Sequence, residues 1–170
     1  MRVMIKKILM GLGAAILMVQ NLEARIGETP AETDVRYGSY KDASFNGASV
    51  TYRIKMLRVL CEFDQGKCVR IDYRIATPGE SSPLSYDARF NDESKALLLI
   101  LNQGTSKFLP SEKKLDLFID GDLMKTEDGK VVALISEKAI VFESVAYVEE
   151  RRKNAEASII RDAVKGISKQ

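Results

Sequence analysis

The side chains that could do chemistry in this sequence are two small acidic clusters and two cysteines. Asp120-Gly121-Asp122 and Glu127-Asp128 bring oxygen atoms together at the short spacing that Ca²⁺ favours. Met124 stands where a third ligand would be needed, and Asp-Gly pairs are typical of tight turns. We therefore interpret both clusters as hairpin turns and predict no metal site.

The two cysteines flank a predicted hairpin turn at Asp64-Gln65-Gly66. A three-residue loop places Cys61 beside Val69 in the core and leaves Cys68 beside Arg70 on the polar face of the sheet. The thiols then lie on opposite faces, so we predict two free thiols, although a two- or four-residue loop would reverse this arrangement. Cys61 has no evident cationic partner that would make it a nucleophile. Cys68, beside Arg70, is a slightly better redox candidate, but a solvated or covered thiol is the preferred interpretation.

The sequence contains no histidine. This excludes Ser-His and Cys-His nucleophilic systems and zinc sites built on imidazole. A glycine-rich phosphate-binding loop is also missing. We therefore predict no catalytic residue, no cofactor and no enzymatic activity; the alternative is a hydrolase of envelope glycans that works with carboxylates alone.

The charges of the chain are balanced, with 26 basic and 24 acidic residues among 170. Residues 1–24 contain three of the basic residues and one of the acidic ones, so 23 of each remain. Nucleic-acid binding needs a basic surface that displaces counterions. The balance therefore argues against a nucleic-acid partner.

The first 24 residues have the layout of a secretory signal peptide, with basic residues followed by an apolar run at 8–19. As a helix this run would be roughly 18 Å long, too short for a hydrocarbon core of about 30 Å. We predict cleavage after Ala24, export to the periplasm or the medium, and no stable membrane anchor afterwards. An uncleaved anchor is the alternative. No cysteine near the junction offers a site for lipid attachment.

The remaining residues, 25–170, predict one α+β domain, with short helices packed on a small antiparallel sheet or on two hairpin-based half-sheets. Its halves are expected at about 25–75 and 89–147, joined by a Pro- and Ser-rich linker at 76–88, and a charged helix is expected at 148–167.

Local signals place the elements within these halves. Thr29 and Pro30 predict a helix start and Gly38 its end, and Asn91 caps a second helix whose apolar run suggests that it is wedged between the sheet and another element. Alternating apolar residues predict the strands, with loop at 39–48 and a bulge or tight turn between Met56 and Leu57. The predicted strands are 50–56, 57–63, 69–75, 115–119, 123–126, 131–135 and 139–142.

Short matches spread over most of the mature chain resemble a group of small uncharacterised exported bacterial α+β proteins. The matches are Arg25-Ile26-Gly27-Glu28-Thr29, Arg36-Tyr37-Gly38, the segment 63–73 around Gly66-Lys67-Cys68, Asn102-Gln103-Gly104 and Asp128-Gly129-Lys130. A helix that ends in tyrosine-glycine before a small antiparallel sheet is also similar to the small lipoprotein of the outer-membrane barrel assembly machinery and to the β-lactamase inhibitor protein. The resemblance implies a fold and not an activity. It does not extend to a lipid anchor.

The sequence therefore favours a non-enzymatic module that binds an envelope or extracellular protein through its sheet face or terminal helix. Tyr37 is expected to pack over the sheet. The basic pairs and runs at Lys113-Lys114 and Arg151-Arg152-Lys153 lie among acidic neighbours, so a solvated surface is the expected setting for both.

Overall fold

The computed structural model describes residues 26–38, 42–44, 46–75, 89–111 and 121–167, with side chains described up to residue 159. Several predicted features lie outside the described residues: the signal peptide predicted at 1–24, the linker predicted at 76–88, the strand predicted at 115–119, Asp120 and Lys113-Lys114. The helices are α1 (Pro30–Tyr37), α2 (Asp92–Asn102) and α3 (Val145–Ile167). The strands are β1 (Asp42–Ala43), β2 (Ser49–Ile54), β3 (Leu57–Asp64), β4 (Lys67–Ile75), β5 (Phe108–Pro110), β6 (Asp122–Thr126), β7 (Val131–Ile135) and β8 (Ala139–Ser144).

The eight strands form one antiparallel sheet in the order β1-β2-β3-β4-β8-β7-β6-β5. The predicted α+β class is confirmed. Of the two sheet arrangements left open by the sequence, the single antiparallel sheet is the one observed, because β4 and β8 join the halves. Within the described residues, each half is a helix followed by four strands. Hydrogen bonds between β4 and β8 therefore hold the halves together.

The start of α1 follows the sequence prediction. Thr29 accepts a hydrogen bond from the backbone of Glu32 at 3.4 Å, and the Glu32 carboxylate accepts one from the Thr29 backbone at 2.7 Å. Together they form the capping box, with Pro30 in the first turn. The helix ends at Tyr37, because Gly38 adopts a φ of 83° that favours glycine.

Replacing Thr29 with alanine is expected to lower the free energy of unfolding by about 1 kcal/mol at neutral pH, since the helix loses its cap. Hydrogen bonds from Thr29 hold the pKa of Glu32 below its ordinary value of 4.5. The alanine variant keeps the bond from the Thr29 backbone but loses the bond of 2.8 Å from the Thr29 hydroxyl to the Glu32 carboxylate. The stability from this hydroxyl bond is complete above pH 4.5 and is lost as the pH falls through the lowered pKa. Urea denaturation should therefore show the difference between the two proteins shrinking below pH 4.5. Thr29→Ser keeps the cap and serves as the control; a constant difference down to acid pH would contradict the assignment.

One face of the sheet, the helix face, packs against α1 and α2 and contains the core. Hydroxyl groups link the layers: Tyr37 bonds to Tyr73 at 2.7 Å, and Tyr73 donates to Asn102 at 3.2 Å. Nearer the edge, Tyr52 bonds to Thr33 at 2.8 Å. Buried core residues on this face include Val50, Tyr52, Val59, Cys61, Cys68, Ile71, Tyr73, Phe108, Val131, Ala133, Ile135, Ile140 and Phe142.

The hairpin between β3 and β4 differs from the prediction. Gln65 and Gly66 have φ values of 47° and 73°. Positive φ at both central residues forms the two-residue turn that matches the twist of paired strands, so the expected three-residue loop is wrong. The register then shifts between Glu62 and Phe63, and Cys68 pairs with Phe63 instead of lying on the polar face.

Smaller differences occur where strands are short or helices half-exposed. The edge strands β1 and β5 are not predicted from the sequence, and β2 ends at Ile54 before a tight turn in which Lys55 has a φ of 53°. Helix α2 is not wedged between two layers, because Leu97 and Ile100 are 55% and 53% exposed. Helix α3 begins three residues earlier than expected, at Val145.

Candidate binding face

The carboxylates that suggested a calcium loop are separated in the fold. Asp122 opens β6, and Asp128 follows its other end, in the turn to β7. There Asp128 accepts a hydrogen bond from the Lys130 backbone at 3.2 Å, and hydrogen bonds from Thr126 and Lys130 lower the pKa of Asp128. These hydrogen bonds within the turn explain why an acidic residue occupies position 128. Within the described ranges, no group of three or more potential metal ligands comes together.

Both cysteines lie in the core on the helix face, each fully buried and free. The thiol of Cys68 contacts Cys61 and donates to the backbone oxygen of Arg70 at 3.5 Å. Contact with Cys61 and burial raise the pKa of Cys68, which disfavours the thiolate. The structure therefore contradicts the predicted position of Cys68 and agrees with free thiols.

Neither thiol is expected to react with a soluble thiol reagent in the native protein, because both are buried. Unfolding in guanidinium without reductant should release two reactive thiols per chain. Absorbance of the released reporter gives the count in each state. Finding none after unfolding would mean that Cys61 and Cys68 are joined by a disulfide.

The second face of the sheet, which we call the open face because neither α1 nor α2 packs on it, carries a network of alternating charges. Arg70 on β4 is its centre and lies 3.2 Å from Glu62, 3.6 Å from Asp72 and 3.5 Å from Glu143. The Asp72 side chain is only 5% exposed, and Arg74 binds it through two hydrogen bonds of 3.0 Å each. These bonds raise the pKa of Arg74. A carboxylate this deep is stable only when it is paired in this way.

The first turns of α3 attach to this network. Tyr147 donates to Glu62 at 3.1 Å, and burial together with the charge of Glu62 raises the pKa of Tyr147. Arg151 lies 3.2 Å from Glu143, and its guanidinium lies 5.3 Å from the centre of the Tyr147 ring. From residue 149 to residue 159 every side chain is exposed, so α3 leaves the sheet after the contact made by Arg151.

No protein-family model, curated protein or solved structure matches the chain. Within the described ranges, none of the helices is both long and apolar enough to cross a membrane.

An open groove of about 640 Å³ crosses part of the open face. Leu134 and Val141 contribute apolar surface to it, and Arg70 and Arg74 contribute charge. The turn between β7 and β8, with Glu137 and Lys138, forms another part of its lining. Apolar surface beside a few charged groups is typical of binding clefts.

The sequence identified only part of this face. Alternation along β4 places Arg70 and Asp72 on the polar side, as the structure confirms. The partners Glu62, Glu143 and Tyr147 come from β3, β8 and α3, far away in the sequence. Tyr37, expected to pack, does so with its ring centre 5.1 Å from that of Tyr52.

Proposed function

We propose that this chain is an exported, non-enzymatic protein that binds another protein of the cell envelope or the medium through the open face of its sheet. One observation carries the proposal: α1 and α2 pack on the helix face, whereas the open face presents a groove with charged and apolar lining. Apolar side chains on this face, such as Leu123, Val132 and Leu134, are only partly buried. Protein interfaces combine partly exposed apolar surface with paired charges in this way.

The state of the carboxylates favours binding over hydrolysis. Two-carboxylate hydrolysis needs one group that donates a proton and another that attacks or activates water. On the open face, Glu62, Asp72 and Glu143 are all engaged by arginines. Their oxygens are already used in ion pairs, so these groups have a structural role in the proposal.

The proposed export rests on the leader at 1–24. Amino-terminal sequencing of the protein recovered from the envelope or medium is expected to begin at Arg25. Recovery of a protein that retains the leader would support the uncleaved anchor instead.

The binding surface can be tested by placing a photo-crosslinking amino acid at single positions of the full chain in the cells that export it. Lys125 and Leu109 are suitable because they pair across β6 and β5 on the open face and are exposed. Val35 on α1 is the matched control, since it is 89% exposed on the opposite layer. The captured protein is identified by mass spectrometry, purified and titrated against the unmodified chain.

The proposal predicts that one protein is captured from the open face and not from Val35, and that it binds saturably with no product formed. Equal capture from all three positions would contradict a specific surface. Release of reducing sugar ends from envelope glycans by the purified chain would overturn the proposal in favour of the hydrolase.

A further inference from the structure

Three arginines stand side by side on the open face, at the end of the sheet where β2 turns into β3. Arg53 on β2 pairs with Arg58 on β3, and Arg58 pairs with Arg74 on β4. We call these three residues the arginine row. Side chains directly opposite each other in antiparallel strands lie about 4.5–5.5 Å apart at Cβ, where like charges repel. Repulsion within the arginine row therefore lowers the stability of the fold. The stability of the fold does not explain why three arginines stand side by side here.

Arg58, at the centre of the row, carries a positive charge that no described contact neutralises. Asp72 binds Arg74, whose side chain is still 40% exposed. Among the described residues, Arg58 has neither a hydrogen-bond nor an ion-pair partner, although it is half-buried. Lys138, in the turn that follows β7, is exposed near the same end of the sheet. A half-buried guanidinium between two like charges is a strong site for an added carboxylate.

The arginine row continues into the groove, because Arg74 belongs to both. The groove extends from Arg74 across β8 and β7 over Val141 and Leu134. A ligand that places an acid on the row would thus lay its neighbouring residues on apolar surface. This geometry suits a short segment with acidic residues followed by apolar ones.

The charges around the row favour a protein as the source of that segment. Glu62 and Glu143 lie further along the same face and would repel a polymer or membrane that is uniformly negative. The mature chain also has no net positive charge to attract such a partner. A protein surface can match both signs at once.

We propose that the arginine row binds the acidic side chains of a segment of a partner protein, with apolar residues of that segment in the adjoining groove. This inference rests on the proposed function and names the chemistry of the partner. Arginine recognises a carboxylate with two parallel hydrogen bonds, and Arg58 is the residue free to supply them.

Fluorescence anisotropy can test the inference with a labelled synthetic peptide that has a run of glutamates followed by leucines. A peptide with glutamines in place of the glutamates is the control ligand. The protein variants are Arg58→Gln and, as the control for charge alone, Arg152→Gln, because Arg152 is 71% exposed on α3 and pairs with Glu156. Heparin fragments and vesicles with anionic lipid are the comparison probes.

The inference predicts salt-sensitive binding of the acidic peptide that Arg58→Gln weakens about tenfold or more, as expected for a lost charge-assisted hydrogen bond. Arg152→Gln should bind as tightly as the unaltered protein. The thermal midpoint of Arg58→Gln should be unchanged or higher, since repulsion within the row is relieved, and this separates a binding role from a structural one.

Three results would overturn the inference: no binding of the acidic peptide, equal weakening by Arg58→Gln and Arg152→Gln, or tighter Arg58-dependent binding of heparin or vesicles than of the peptide. The photo-crosslinked partner distinguishes the two proposals. If the open face captures a protein whose binding Arg58→Gln leaves unchanged, only the arginine row is wrong. If the open face captures nothing, the proposed function itself fails.

Discussion

Phe142→Ala is expected to lower the free energy of unfolding by about 3–5 kcal/mol, the usual loss for a fully buried phenylalanine. Phe142 lies on β8, which pairs with β4 where the two halves of the sheet join. We call this junction the seam. Its ring centre is 5.9 Å from that of Tyr73 on β4, edge to face, and 5.6 Å from that of Phe108 on β5. The substitution removes both contacts and opens a cavity at the seam. Urea denaturation followed by circular dichroism measures the loss.

Two control variants make this result specific. Phe142→Leu keeps most of the volume and should lose clearly less than the alanine variant. Val35→Ala, at an exposed position of α1, should change the stability by no more than about 0.5 kcal/mol. If Phe142→Ala lowers the free energy of unfolding no more than Val35→Ala does, Phe142 is not buried at the seam as the structure shows.

The elements that the sequence predicted well are those with local signals. Thr29 and Asn91 each accept the capping hydrogen bond of their helix, and Val131–Ile135 matches its predicted strand at both ends. Capping and alternation act between residues close in sequence. Local patterns are therefore sufficient to place these elements.

The register of the strands was harder to predict, because a difference of one residue in the length of a turn changes which residues pair. A loop of two residues at Gln65-Gly66, followed by a register shift, moves Cys68 from the outer side to the core. The short edge strands β1 and β5 are held by pairing to a neighbour. Neither feature has a strong signal of its own in the sequence.

The similarity of the two halves is structural rather than chemical. Tyr37 and Asn102 each end a helix and each contact Tyr73. Thr33 and Leu98, four residues earlier, are both buried. The positions are equivalent while the residue types differ, which explains why the sequence suggested two similar halves without a recognisable repeat.

The second large effect is expected from Arg70→Met, because Arg70 faces three carboxylates on the open face. Removing one partner of a buried ion pair lowers the free energy of unfolding by about 3–5 kcal/mol. We expect a loss of about 2–3 kcal/mol for Arg70→Met, because the Arg70 side chain is 23% exposed and solvent screens part of the interaction. Arg70→Lys keeps the charge with a single ammonium group and should lose less. Urea denaturation in low and high salt measures both variants.

A double-substitution cycle decides whether the loss comes from the network itself. Glu62→Gln removes one partner of Arg70, so Arg70→Met should cost less in that background than in the unaltered protein. The difference should exceed the error of about 0.5 kcal/mol within which independent substitutions add. Additive losses would mean that Arg70 and Glu62 are not in contact in solution. The open face would then lack the fixed charges on which its proposed specificity depends.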